Sequence, residues 1–157
     1  MTSRNQAEVT QTVILPQSRD AFFITLGFKE GGEKAALEAL TSLSSLTNAV
    51  GFRYPDAHLT AVAGVGAKMW DRLFDLEKPE HLHEFIELQG GKHHAPSTPG
   101  DLFFHIRADE FDVAFELARR INAIVEDDID YYDEVHAFQY QDFRDPLGFV
   151  DGTESPR

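Results

Sequence analysis

Asp101-Leu102-Phe103-Phe104-His105-Ile106-Arg107 decides the fold of this 157-residue chain. Leu102, Phe104 and Ile106 fall on one side of an extended segment, and Phe103, His105 and Arg107 fall on the other. Such period-two alternation marks a strand with one face in a core. Just downstream the spacing changes: Phe111, Ala114, Leu117, Ala118, Ile121, Ile124 and Val125 recur at helical intervals. Asp109 stands where an N-cap belongs, since its short carboxylate can accept a bond from a first-turn N–H. A further strand is predicted over 134–140.

The upstream half repeats the pattern. Phe22, Ile24, Leu26 and Phe28 give a half-buried strand over 20–28, which Gly31 and Gly32 interrupt. From Glu33, the positions Ala36, Leu37, Ala39, Leu40, Leu43 and Leu46 predict an amphipathic helix. A second strand is expected over 58–65, closed by Gly64 and Gly66, and a short helix over 68–74. The polar region 75–99 is too long for a plain connection and reads as an insert. The order β-α-β-(insert)-β-α-β predicts an α+β, ferredoxin-like βαββαβ module, its antiparallel sheet carrying helices on one face. Three segments follow from this: an arm over 1–18, with Pro16 disfavouring a central strand; the module over 19–141; and a linker over 142–157.

Composition narrows the function. With 42% hydrophobic residues and 13 phenylalanines, the chain can fill a real core. A net charge of −13 repels phosphate backbones and excludes nucleic acid as a partner. No apolar run nears the roughly 18 residues that span a bilayer, and residues 1–11 lack the apolar core of a secretory signal. Zero cysteines remove disulfides, thiolate ligands and thiol catalysis. A cytoplasmic location is the expectation. The acidic run Glu126-Asp127-Asp128-Ile129-Asp130 matches no calcium-loop spacing and is read as a solvated loop between helix and strand.

The chemistry points to the last ten residues, Gly148-Phe149-Val150-Asp151-Gly152-Thr153-Glu154-Ser155-Pro156-Arg157. Asp151 sits in a glycine-flanked turn, where missing Cβ atoms let backbone approach a flat or bulky ligand. By itself an Asp-Gly pair also reads as a turn residue bonding its own backbone. The pattern Gly148-X-X-Asp151-Gly152, joined to Thr153, Glu154 and Pro156, resembles the signature of the dye-decolourising peroxidases, a haem enzyme family. The segment 95–107, Ala-Pro-Ser-Thr-Pro-Gly-Asp-Leu-Phe-Phe-His-Ile-Arg, is similar to one typical of the bacterial, B-type members. The resemblance covers most of residues 20–157.

Several expectations rest on that resemblance. The family is built from two ferredoxin-like modules with haem held mainly by the second, so this chain corresponds to the N-terminal half, with the second module outside it or on a separate chain. Asp151 is implied as the distal catalytic residue. A carboxylate over the haem takes a proton from one peroxide oxygen and returns it to the departing one, so that the O–O bond breaks heterolytically. Gly148 and Gly152 then leave room beside the porphyrin, with Val150 between them. Phe149 lines the distal pocket or fills core, and Thr153 and Glu154 cap the next element or touch the haem edge. Haem b is the implied cofactor, bound without a covalent link. The distal arginine and proximal histidine are expected beyond Arg157, so no metal ligand is assigned in this chain.

The implied reaction reduces hydrogen peroxide and oxidises dyes or phenols, so the partners are peroxide and an organic reductant, and a homo-oligomer is expected. Two other functions stay open: a haem-binding or haem-handling protein without peroxidase turnover, and a non-catalytic assembly module. The histidines offer no zinc pattern at i, i+4. His81, His83, His93 and His94 read as exposed loop residues, His105 and His136 as strand residues satisfied by local hydrogen bonds, and His58 has no suggestive neighbour. Trp70, Tyr131, Tyr132 and Tyr140 are electron-path candidates by type alone, Trp70 being read as core. Arg144 and Asp145, beside Phe143, read as a surface ion pair, with steering of a peroxide channel as the sharper reading.

Overall fold

The computed structural model describes residues 11, 13–15, 17–142 and 144–150. β1 (Asp20–Phe28) buries Phe22, Ile24, Leu26 and Phe28, and α1 (Glu33–Gly51) follows the glycine break. A 3₁₀ turn at Pro55–Ala57 leads into β2 (Thr60–Val65), and α2 (Ala67–Leu73) comes next. Within the insert, β3 (Leu88–Gln89) and β4 (His94–Ala95) pair as a small antiparallel hairpin. β5 (Leu102–Ala108), α3 (Phe111–Val125) and β6 (Ile129–Phe138) complete the regular elements among the described residues.

The main sheet runs β2-β5-β1-β6, every neighbour antiparallel. β5 separates β1 from β2, and β1 separates β5 from β6, which is the split βαβ of a ferredoxin-like module. Register pairs Phe22 with Ile106, Ile24 with Phe104 and Leu26 with Leu102. The same face receives Ala61, Ala63 and Val65 from β2. Against it lie Ala36, Ala39 and Leu43 of α1 and Ala114, Leu117, Ala118 and Ile121 of α3. Small alanines let both helices approach the sheet, and each fully buried large apolar side chain stabilises the fold by about 1.5–3 kcal/mol.

Two devices hold the insert's base. Arg72 of α2 donates to Glu33 Oε1 (2.8 Å), the Phe28 carbonyl (3.2 Å) and the Lys29 carbonyl (2.7 Å), and it approaches the carboxylate of Asp101. That carboxylate also accepts the Phe28 N–H at 2.7 Å. Glycine is required where the chain leaves and returns. A Cβ on Gly66 would lie 2.0 Å from the Gly100 carbonyl oxygen, and one on Gly100 would lie 2.2 Å from Thr25 Cγ2.

The structure departs from the sequence reading at several points. Asp109 is not a cap: Glu110 holds the N-cap position without a side-chain cap bond. Phe111 is 45% and Leu37 44% exposed, while Val113, Ala35 and Val50 are buried in the helices instead. β6 begins at Ile129, so Ile129 and Asp130 are strand and only the start of the acidic run is loop. Its length is set by its partner, because the nine-residue β1 pairs with it from Asp20–Phe138 to Phe28–Ile129. β2 starts two residues later than expected, after the 3₁₀ turn and a left-handed His58 (φ 48°). In α2 the fully buried side chain is Met69, whereas Trp70 is half-buried and packs on Phe74 at 4.8 Å.

Candidate functional site

Beyond β6 the chain turns back on itself. Tyr140 bridges Arg144, and Arg144 bridges Val150. The expected Arg144–Asp145 ion pair is not what forms. Arg144 Nη1 donates to the Gly148 carbonyl at 2.8 Å, while Asp145 Oδ1 accepts the N–H groups of Leu147 (2.8 Å) and Phe149 (3.1 Å). The Asp145 N–H also reaches the Phe149 carbonyl at 2.8 Å. Neighbouring opposite charges thus each close one side of the same turn, an Asx-type arrangement.

Gly148 lies at φ +96°, and a Cβ there would meet no heavy atom within 4 Å. Beside this bare backbone, Leu147 is 84%, Phe149 69% and Val150 46% exposed. Phe149 therefore does not fill core. A fixed turn that offers open backbone and an apolar rim suits a broad, flat apolar ligand. Asp151, Gly152, Thr153 and Glu154, together with Phe143, lie outside the described residues.

The histidines divide as the sequence suggests, with two exceptions. His81, His83, His93 and His94 are exposed. His83 meets the Glu84 carbonyl and His94 meets Glu87 at 3.2 Å. His136 bonds Glu134 and packs on Phe22 at 4.2 Å. His105, by contrast, is held by ring stacking on Phe23 at 4.4 Å rather than by a hydrogen bond. Burial, with Arg107 adding to it, lowers its pKa. Among the described residues no cluster of three or more His, Asp or Glu is placed to hold a metal ion, and no helix is long and apolar enough to cross a membrane.

His58 does have a partner, and sequence spacing gave no signal for it. Its Nδ1 lies 2.8 Å from Asp109 Oδ2, 51 residues away, and Asp109 Oδ1 accepts the Arg19 N–H at 3.2 Å. The hydrogen bond to His58 lowers the Asp109 pKa. A depressed carboxyl pKa stabilises the fold above the unfolded value near 3.9 and loses that effect as pH falls through the folded value. We therefore expect Asp109→Asn to flatten the loss of stability between pH 5 and 3. The pair is exposed, so the difference stays below about 1 kcal/mol. Urea midpoints of both chains at several pH values measure it, and parallel acid limbs would refute it.

Tyr131, Tyr132 and Tyr140 are partly exposed. Tyr132 Oη donates to Glu134, which also meets His136, forming a polar row on one side of β6. Burial and the Glu134 hydrogen bond push the phenol pKa well above its usual range.

Comparison with known proteins agrees with this architecture. The family model "Dyp-type peroxidase, N-terminal" matches residues 10–139. A dye-decolorizing peroxidase of Mycolicibacterium paratuberculosis is 50% identical over 146 residues, covering 93% of this chain and 41% of that protein. One from Rhodococcus erythropolis is 46% identical, covering 94% and 43%. The encapsulated DyP-type peroxidase from Mycobacterium smegmatis superposes with a TM-score of 0.86 at 45% identity, covering 94% of this chain and 48% of that one. DyPB from Rhodococcus jostii RHA1 gives 0.82 at 43%, covering 93% and 48%, and variants of that protein have been solved in complex with heme. The chain spans about two-fifths of the length of these curated relatives. It belongs to the Dyp-type peroxidase family and matches that family's N-terminal domain.

Proposed function

We propose that this chain forms the distal-side, N-terminal half of a haem peroxidase that reduces hydrogen peroxide and oxidises an organic reductant, a dye or a phenol. The observation that carries the reading is the turn 144–150. Its backbone at Gly148 is open, its rim of Leu147, Phe149 and Val150 is apolar and exposed, and its shape is fixed by Arg144 and Asp145. The donor set fits haem on that side, because a porphyrin face needs apolar contact and close backbone more than it needs ligands from this wall. Haem b, when bound, supplies the oxidising power.

This chain's residues do the rest. Asp151 follows Val150 directly and carries the proton between the two peroxide oxygens. Gly148 and Gly152 allow close approach, Phe149 and Val150 exclude water, and Thr153 and Glu154 border the ligand edge. The same reading takes residues 1–18 as an arm, 19–141 as the module and 142–157 as the linker that carries the signature. A haem-handling protein gains nothing from a carboxylate in the signature, and an assembly module leaves the apolar rim without a role. A cytoplasmic location and self-association belong to the same proposal, the latter supported by the encapsulated Mycobacterium smegmatis relative.

Haem reconstitution tests the reading. Added to the 157-residue chain alone, haem should give only a broad, non-saturating Soret change, since the proximal ligand is expected outside it. The same residues within a chain of the relatives' full length should take up haem stoichiometrically and consume peroxide. Failure of that longer chain to bind haem would overturn the proposal. A sharp, saturable shift in the short chain, abolished by replacing one histidine, would overturn the assignment of the proximal ligand.

A further inference from the structure

The stretch Arg144-Asp145-Pro146-Leu147-Gly148-Phe149-Val150 has the composition of a turn rather than of a core element. The ring of Pro146 fixes its φ at about −65°, which suits the second position of a β-turn. The turn closes there, with the Gly148 N–H on the Asp145 carbonyl at 2.9 Å and Gly148 at φ +96°. Apolar packing does not hold this shape, because Leu147, Phe149 and Val150 are all exposed. Little apolar surface leaves water in the turn, so hydrogen bonds to its backbone decide its path.

Asp145 takes part in most of those bonds. Its Oδ1 accepts the Leu147 N–H at 2.8 Å and the Phe149 N–H at 3.1 Å. Its own N–H donates to the Phe149 carbonyl at 2.8 Å. Arg144 fastens the other side, with Nη1 on the Gly148 carbonyl at 2.8 Å and its N–H on the Tyr140 carbonyl at 3.0 Å. Tyr140 follows the end of β6, which pairs along β1. One carboxylate thus grips the backbone on both sides of Gly148, on a base that the sheet makes rigid.

Val150 is the last link before Asp151, so the path of the turn sets where residue 151 begins. That matters because a proton moves only within hydrogen-bond reach, and a misplacement of about 1 Å can cost on the order of 10²-fold in rate. We infer that Asp145 is the positioning residue of this site, aiming Asp151 by holding the Leu147 and Phe149 N–H groups, given the proton-transfer role proposed above for Asp151. Asp145 itself moves no proton and acts only through the backbone.

Two substitutions test this role. Asp145→Ala removes the acceptor, whereas Asp145→Asn keeps one oxygen able to accept both N–H groups. In the 157-residue chain, amide hydrogen exchange followed by NMR should become about tenfold faster at Leu147 and Phe149 in Asp145→Ala. It should stay near the original rate in Asp145→Asn, and the amides of β1 should be unchanged in both, which shows the sheet intact. In the haem-loaded chain of the relatives' full length, Asp145→Ala should lower peroxide turnover about 10- to 100-fold. Asp145→Asn should restore most of it. Combining Asp145→Ala with Asp151→Asn is the decisive arm. A residue that aims Asp151 should cost almost nothing further once Asp151 is replaced, whereas a merely structural residue should cost as much as before. Unchanged exchange at Leu147 and Phe149, no rescue by asparagine, or an equal loss in the Asp151→Asn background would each overturn the assignment. Turnover retained by Asp151→Asn alone would instead overturn the proton-transfer reading, and of the role of Asp145 only its hold on the turn would stand.

Discussion

Peroxide turnover by the haem-loaded protein should fall by about 10²- to 10⁴-fold when Asp151 is replaced by asparagine, while haem binding survives. Asparagine keeps the size and hydrogen-bonding reach of aspartate. It cannot accept a proton and give it back, which is the one property the proposed role requires. The substitution should not dismantle the turn that presents it. That turn is held by Asp145 on the N–H groups of Leu147 and Phe149, and by Arg144 on the Gly148 carbonyl, and none of those bonds involves position 151. Two readouts separate the causes. Stopped-flow mixing with hydrogen peroxide reports the proton-dependent step, and the Soret band of the resting protein reports haem retention. Loss of both would make Asp151 a structural residue of the pocket. Retention of turnover would remove it from the mechanism.

Much of the fold is legible in the residues because one strong signal suffices for each element. Leu102, Phe104 and Ile106 alternate cleanly, and all three are buried. β1 is equally plain. Where reading failed, a longer-range force had decided. The start of β6 is acidic and looks like loop, yet pairing with β1 draws Ile129 and Asp130 into the sheet. Asp109 has the chemistry of a cap but is drawn instead to His58 and the Arg19 N–H, partners 51 and 90 residues away. Phe111 falls on the helical stripe, yet it sits at the first turn, beside the edge strand, where it packs on Phe22 and His136 while staying 45% exposed.

The candidate site shows the same division. Glycine spacing around Asp151 is local, so the signature can be recognised from a few consecutive residues. The cooperation of Arg144 with Asp145, by contrast, could not be read from their adjacency. Neighbouring opposite charges suggest a pair, but each reaches across the turn to a backbone group that its own peptide geometry leaves unpaired.

Phe104→Ala should cost about 3–5 kcal/mol of folding stability, enough to consume much of the roughly 5–15 kcal/mol that holds a domain of this size. Phe104 is fully buried, sits on a central strand, and lies opposite Ile24 on β1 and Ala63 on β2. Both flanking backbones are fixed by sheet hydrogen bonds, and the helices above rest on several other side chains. The void left by the ring therefore cannot close easily, and the cavity adds to the lost transfer energy. Phe103, the adjacent residue of the same type, is the control. It is 39% exposed on the open face and stacks on Phe23 at 6.2 Å, so its replacement by alanine should cost only about 1–2 kcal/mol. Urea unfolding of both variants, compared at constant m-value, measures the difference. Because side chains alternate strictly, a one-residue slip of β5 would exchange the two environments. A larger loss for Phe103→Ala would therefore mean that slip, and would move Arg107 and His105 from the open face to the core side at the same time. The stability ratio of two neighbouring phenylalanines thus tests the sheet register.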